Sequence, residues 1–130
     1  MTVLPLAHPR LWLAGALLIA GGIIVASLLP GPIVATVGGH DKLEHAGAYW
    51  LLTLWVAGLV ERRGYPWAAM AAFALGATLE VAQGFLTATR EADPLDLVAN
   101  GAGIAFALAL AYLGAGGWAG RLERRLGAGS

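Results

Sequence analysis

The sequence predicts an all-α integral membrane protein, a single bundle of four transmembrane helices with both termini cytoplasmic. Three observations predict it. Four apolar stretches, residues 11–29, 43–60, 66–88 and 95–113, each approach the ~20 residues needed to cross a ~30 Å hydrocarbon layer. Hydrophobic residues make up 58% of the chain and charged residues only 12%, about half the share of a soluble domain. The charges also fall almost entirely between the stretches, with bases and acids on alternate sides. A bilayer offers the backbone no water, so open spanning segments of this length must be helices.

The first stretch carries one flanking base, Arg10, and lacks a small-x-small cleavage site, so it reads as a retained anchor helix rather than a signal peptide. Pro30, Gly31 and Pro32 end it, and Gly38 and Gly39 give a flexible approach to the second. That second helix opens on a polar run from Asp41 to His45 before turning apolar. Pro66 stands in the first turn of the third, where a missing N–H costs little. The fourth follows a short polar loop containing Arg90 and Asp93. Small residues four apart, Gly22/Ala26, Ala72/Gly76 and Ala99/Gly103, suit close helix approach in lipid. Trp12, Trp67 and Trp118 fall at one boundary as an aromatic belt would, while Trp50 and Trp55 read as packing within the second helix.

Orientation follows from the basic residues of alternate loops. One side holds Arg10, Arg62, Arg63, Arg121, Arg124 and Arg125 with Glu61 and Glu123, six bases against two acids. The other holds Lys42 and Arg90 with Asp41, Glu44, Glu80, Glu91, Asp93 and Asp96, two bases against six acids. The positive-inside rule puts the basic side, and both termini, in the cytoplasm of a multi-pass cell-membrane protein.

Several chemistries drop out. The chain has no cysteine, hence no disulfide, thiolate metal site or thiol nucleophile. It shows no glycine-rich phosphate loop, nucleophile elbow or dinucleotide fingerprint. The terminal arginines read as topology determinants near anionic headgroups, not as a nucleic-acid site. No cofactor is expected. His45 with Glu80, Asp93 and Asp96 offers donors for a divalent ion, but no second histidine stands at ligand spacing and no metal is assigned.

What remains is a set of polar residues on the outer half of three helices. Asp41, His45 and Tyr49 are spaced four apart and share a face, as do Glu80 and Gln83, three apart, and Asp96 and Asn100. Antiparallel threading brings the start of helix two, the end of helix three and the start of helix four to one interface, so these residues can share a pocket. Glu80 is the costliest, because an ionised acid in mid-membrane costs at least about 2.5 kcal/mol; it should face inward and pair with Lys42 or Arg90, or carry a proton. In a catalytic reading His45 and Glu80 are the acid/base candidates and Asp96 or Asp41 orients His45. Lys42 and Arg90 hold an anionic head group, with Tyr49, Gln83, Asp93 and Asn100 lining the site. The plainer reading makes the bases neutralising partners for nearby acids, His45 a strut at a helix start, and Asn100 an interhelical hydrogen bond.

The same residues carry a resemblance. Asp41-Lys42-Leu43-Glu44-His45 with Tyr49, then Glu80-x-x-Gln83 followed by Phe85, then Arg90-x-x-Asp93-x-x-Asp96-x-x-x-Asn100-Gly101-x-Gly103 resemble the signature of VanZ-like membrane proteins over about residues 9–113. That resemblance implies one membrane domain over 1–130 with a handful of helices and a cell-envelope role. The namesake is associated with resistance to a glycopeptide antibiotic. The leading expectation is an outer-facing pocket that binds, or also modifies, an envelope lipid or lipid-linked precursor, with membrane lipids as partners. Beside it stand a proton- or cation-coupled transporter with Glu80 as carrier, and a structural or interaction protein whose polar cluster fastens helices.

Overall fold

The computed structural model describes residues 2–30, 41–88 and 92–127. They form α1 (Pro9–Leu28), α2 (Asp41–Leu59), a short 3-10 turn (Arg62–Gly64), α3 (Tyr65–Leu86), α4 (Pro94–Leu110), a wide π-type turn (Ala111–Ala115) and α5 (Trp118–Arg125). The fold is all-helical; among the described residues the one extended pairing is Val3 against Val60. Among the described residues three stretches, Pro9–Leu28, Arg62–Leu86 and Pro94–Ala115, are long and apolar enough to cross a membrane. Their outward faces present Leu11, Leu17, Leu18, Phe85, Val98 and Leu113 to the surroundings, an apolar exposure suited to lipid.

Helix starts follow local chemistry. Pro9, Pro66 and Pro94 each stand in a first turn. Asp93 caps α4, its carboxylate accepting from the Leu95 N–H at 2.9 Å. After α4 the chain reverses through Gly114 and Gly117, at φ of 118° and 66°, where a side chain would be strained. The Gly117 N–H then donates to the Ala57 carbonyl at 2.9 Å and ties the turn to α2.

The bundle is built around α2, which packs most extensively against α4. Contact is closest where Gly103 lies on the Ala46 carbonyl, with no room for a Cβ, and α3 approaches both helices through Gly76, beside Asn100 and Tyr49. The expectation for Gly22 and Ala26 is corrected: nothing from another element would meet a Cβ at Gly22. The reason is that α1 lies at the edge of the bundle and buries only Ala16 and Ile23. One apolar cluster joins Ile23, Tyr49, Leu52, Ala72, Leu79 and Ile104; a second joins Ala57, Leu59, Val60, Tyr65, Ala111 and Ala119.

The aromatic belt is also corrected in part. Trp12, Trp55 and Trp118 form a mutual cluster, with ring centroids 5.1–6.0 Å apart. Their indole N–H groups donate to Glu123, the Trp12 carbonyl and the Leu54 carbonyl respectively. Trp67 alone of the expected belt is largely exposed, at 60%. Helix α5 was not expected, being too short to show an apolar period. It is amphipathic, burying Ala119, Gly120 and Glu123 and exposing Arg121, Arg124 and Arg125.

Candidate functional site

The polar residues of α2, α3 and α4 meet at one end of the bundle. Helical spacing puts Asp41, His45 and Tyr49 on one face of α2, and the Ala46–Gly103 contact presses that face against the start of α4. His45 Nδ1 lies 3.1 Å from Asn100 Oδ1. Its Nε2 lies 3.5 Å from Asp96 Oδ2 and 3.8 Å from Asp41 Oδ1. Asp96 and Asn100 are buried, as their inward positions on α4 require.

Lys42 gathers the acids from the rim. Its ammonium donates to Asp96 Oδ1, to Asp93 Oδ2 and, at 3.3 Å, to Asp41 Oδ2. The Lys42 charge beside Asp93, helped by the Leu95 N–H, holds the Asp93 carboxyl below the usual carboxylate range. Glu80 is buried and faces inward as expected, but its partner differs: Oε2 accepts the Asp93 backbone N–H at 3.0 Å. Lys42 is taken up instead by Asp41, Asp93 and Asp96. Glu80 therefore joins the end of α3 to the start of α4, within electrostatic reach of His45, Asp96 and Tyr49.

Other expected residues divide. Tyr49 is buried against Gly76, beneath the cluster. Gln83 is buried but turned to α1, where its Nε2 donates to the Ser27 carbonyl at 2.9 Å. Arg90 lies outside the described residues. Both carboxylates expected beside His45 face its Nε2, and Asn100 adds a nearer partner on Nδ1 that the sequence reading had only as an interhelical hydrogen bond or a lining residue.

A cleft of about 120 Å³ opens beside the cluster between α1 and α2. Asp41, Glu44 and His45 form its polar side; Ile23, Ala26, Ala48 and Tyr49 form the rest, with Ser27 between. Gln83, by holding Ser27, fixes one wall.

At the opposite end sits a residue whose role the sequence did not suggest. Glu123 is 5% exposed and accepts from the Ala7 N–H at 2.6 Å, the His8 N–H at 2.9 Å and the Trp12 indole at 2.7 Å. Burial works against its charge, but the Trp12, Ala7 and His8 donors outweigh it and hold the carboxyl below its ordinary range. No sequence signal marks it, because two of its three partners are backbone amides.

Comparisons of the chain with family models, with curated proteins and with solved structures give no match.

Proposed function

We propose that the protein crosses the cell membrane four times with both termini cytoplasmic, and that its outer polar cluster binds the head group of an envelope lipid or lipid-linked precursor. Three crossings correspond to the long apolar stretches. The fourth is α2, whose 19 residues extend about 28 Å at 1.5 Å each. Its first turn, with Asp41, Lys42 and Glu44, sits at head-group depth, and the remainder is apolar apart from His45, Tyr49 and Thr53. The charge split between alternate loops supports this orientation.

The observation that carries the lipid reading is the two-sided cleft. Its polar side bears His45, Asp41 and Glu44 and its apolar flank runs along Ile23, Ala26 and Ala48, the pattern an amphiphile needs at a membrane interface. Where the site also modifies its ligand, His45 and Glu80 are the acid/base pair, Asn100 orients the imidazole, and buried Asp96 stabilises its charged form. The resemblance to VanZ-like membrane proteins supports an envelope setting.

The test is lipid retention. Protein extracted with its surrounding lipid should carry an enriched lipid class identifiable by mass spectrometry. Ala48→Trp, which fills the cleft, should remove that enrichment while leaving detergent melting near the parent's. Enrichment unchanged by Ala48→Trp would overturn the reading. Lipid profiles of membranes with and without the protein then separate binding from conversion. If the site acts chemically, Glu80→Gln and His45→Gln should abolish the change in profile with the folded fraction intact.

A further inference from the structure

We infer that Asp41, His45 and Asp96 form a site for one divalent cation of the zinc class, set where the polar cluster meets the cleft. This deepens the lipid reading of the same site and rests on it only for the identity of the fourth ligand.

Three features converge. The first is spacing. One ligand atom from each residue lies within 4.8 Å of the others. His45 Nε2 stands 3.5 Å from Asp96 Oδ2 and 3.8 Å from Asp41 Oδ1, longer than a good N–H···O hydrogen bond. Two donors bound to one tetrahedral zinc at about 2.0–2.1 Å are separated by about 3.4 Å, so the two His45 distances are already close to that value and the aspartates close on each other from within 4.8 Å.

The second is the orientation of the ring. Asn100 Oδ1 can only accept, so the 3.1 Å contact makes Nδ1 the donor and leaves Nε2 as the ring atom turned to the carboxylates. Between that nitrogen and the two carboxylate oxygens sits either a proton or a metal ion, and the titration below distinguishes them. Metal-binding histidines use this arrangement, with the other ring nitrogen donating to an oxygen that fixes the tautomer.

The third is how the carboxylates are divided. Lys42 takes Asp96 Oδ1 and Asp41 Oδ2, and the opposite oxygens, Asp96 Oδ2 and Asp41 Oδ1, are those turned to His45. The lysine therefore does not compete for the same atoms.

One nitrogen and two oxygens suit zinc, with manganese next, better than magnesium or calcium, which prefer all-oxygen sets. The ligands come from α2 and α4, leaving the fourth side toward the cleft for water or a head-group oxygen. A zinc ion there would polarise a phosphoryl or carbonyl oxygen of a lipid seated in the cleft. The sequence offers His45 and Asp96 with Glu80 and Asp93 as donors; the structure puts Asp41, one turn before the histidine, in place of the last two.

Full-length protein in detergent, stripped with EDTA and repurified, provides the test. Zinc titration followed by calorimetry and elemental analysis should show one ion per chain. It should also shift the His45 Nε2 resonance in ¹⁵N-histidine-labelled protein, with His8→Gln and His40→Gln identifying the signal. Asn100→Ala should weaken binding by about 10–100-fold, and His45→Gln and Asp96→Asn by more. His8→Gln, at the far end, should bind as the parent does. Absence of saturable one-to-one binding in the parent, or binding that persists in His45→Gln, overturns the proposal. A His45 resonance showing protonated Nε2 that zinc does not displace overturns it too, and that measurement needs no variant to fold. Lipid enrichment that survives without zinc uptake would remove the metal and leave the lipid reading; zinc uptake without lipid enrichment would do the reverse.

Discussion

His45 on α2 and Asn100 on α4 face each other at 3.1 Å between Nδ1 and Oδ1. One residue beyond the histidine and three beyond the asparagine, Ala46 and Gly103 bring the two helix backbones together. The imidazole is thus aimed by the closest backbone contact between these helices rather than by a carboxylate. Its other nitrogen is left directed at Asp41 and Asp96.

The tautomer can be measured. In metal-stripped protein near neutral pH, ¹⁵N spectra of labelled histidine should place the His45 proton on Nδ1. In Asn100→Leu that preference should disappear while helix content is retained. An unchanged spectrum in Asn100→Leu would show that the asparagine does not orient the ring.

Gly103 sets the spacing between α2 and α4, because a Cβ there meets the Ala46 backbone carbonyl, which cannot swing aside. Gly103→Val should destabilise by about 1–3 kcal/mol, seen as a lower melting temperature in detergent. Gly22→Val, where nothing from another element stands near, should melt like the parent.

Gln83→Leu removes the hydrogen bond to the Ser27 carbonyl. Interhelical hydrogen bonds in membranes average only about 0.6 kcal/mol, so the melting temperature should fall slightly. Lipid enrichment should fall much further, because Ser27 lines the cleft. Loss of the two in proportion would assign Gln83 to stability alone.

Glu123 gives a pH dependence of definite sign. Its carboxyl is held below the ordinary value of 4.5, so its contribution is complete above that pH and is lost as pH falls through the depressed native value. The melting temperature of the parent should exceed that of Glu123→Gln at neutral pH, and the gap should close on acidification below about 4.5. A gap that stays constant would mean the carboxylate is not the stabilising species.

Topology is open to reporter fusions. Truncated fusions after Gly64 and full-length fusions after Ser130 should report cytoplasmic, and fusions at Gly38-Gly39 external. An external C-terminus would overturn the orientation, and with it the placement of the cleft on the outer face.

Much of the helical plan was legible because hydropathy and turn chemistry are local. The stretches at 11–29, 43–60, 66–88 and 95–113 match helices at Pro9–Leu28, Asp41–Leu59, Tyr65–Leu86 and Pro94–Leu110 with shifts of a few residues. The meeting of His45, Asp96 and Asn100 was legible too, since equal depth and antiparallel threading leave polar groups little else to face. Which atom bonds which was not. Lys42 had Glu80 and several aspartates within plausible reach, and only the rim geometry directs it to Asp93 and Asp96. Glu123 enters the sequence reading only as an acid on the basic side, because its partners lie 111–116 residues away and two of them are main-chain amides.

The Glu123 clasp bears on the order of assembly. Ala7, His8 and Trp12 acquire their acceptor only when α5 has been made, whereas α1 enters the bilayer long before. A nascent chain stalled before Trp118 would hold those three donors without the partner that fixes them, and the tryptophan cluster would lack a member. Closure of this end of the bundle therefore reports that synthesis has passed α5, and it separates chains that carry α5 from those that do not by a difference that membrane proteases could read. Chains cut after Gly117 should be inserted normally yet be cleared faster than the full-length protein.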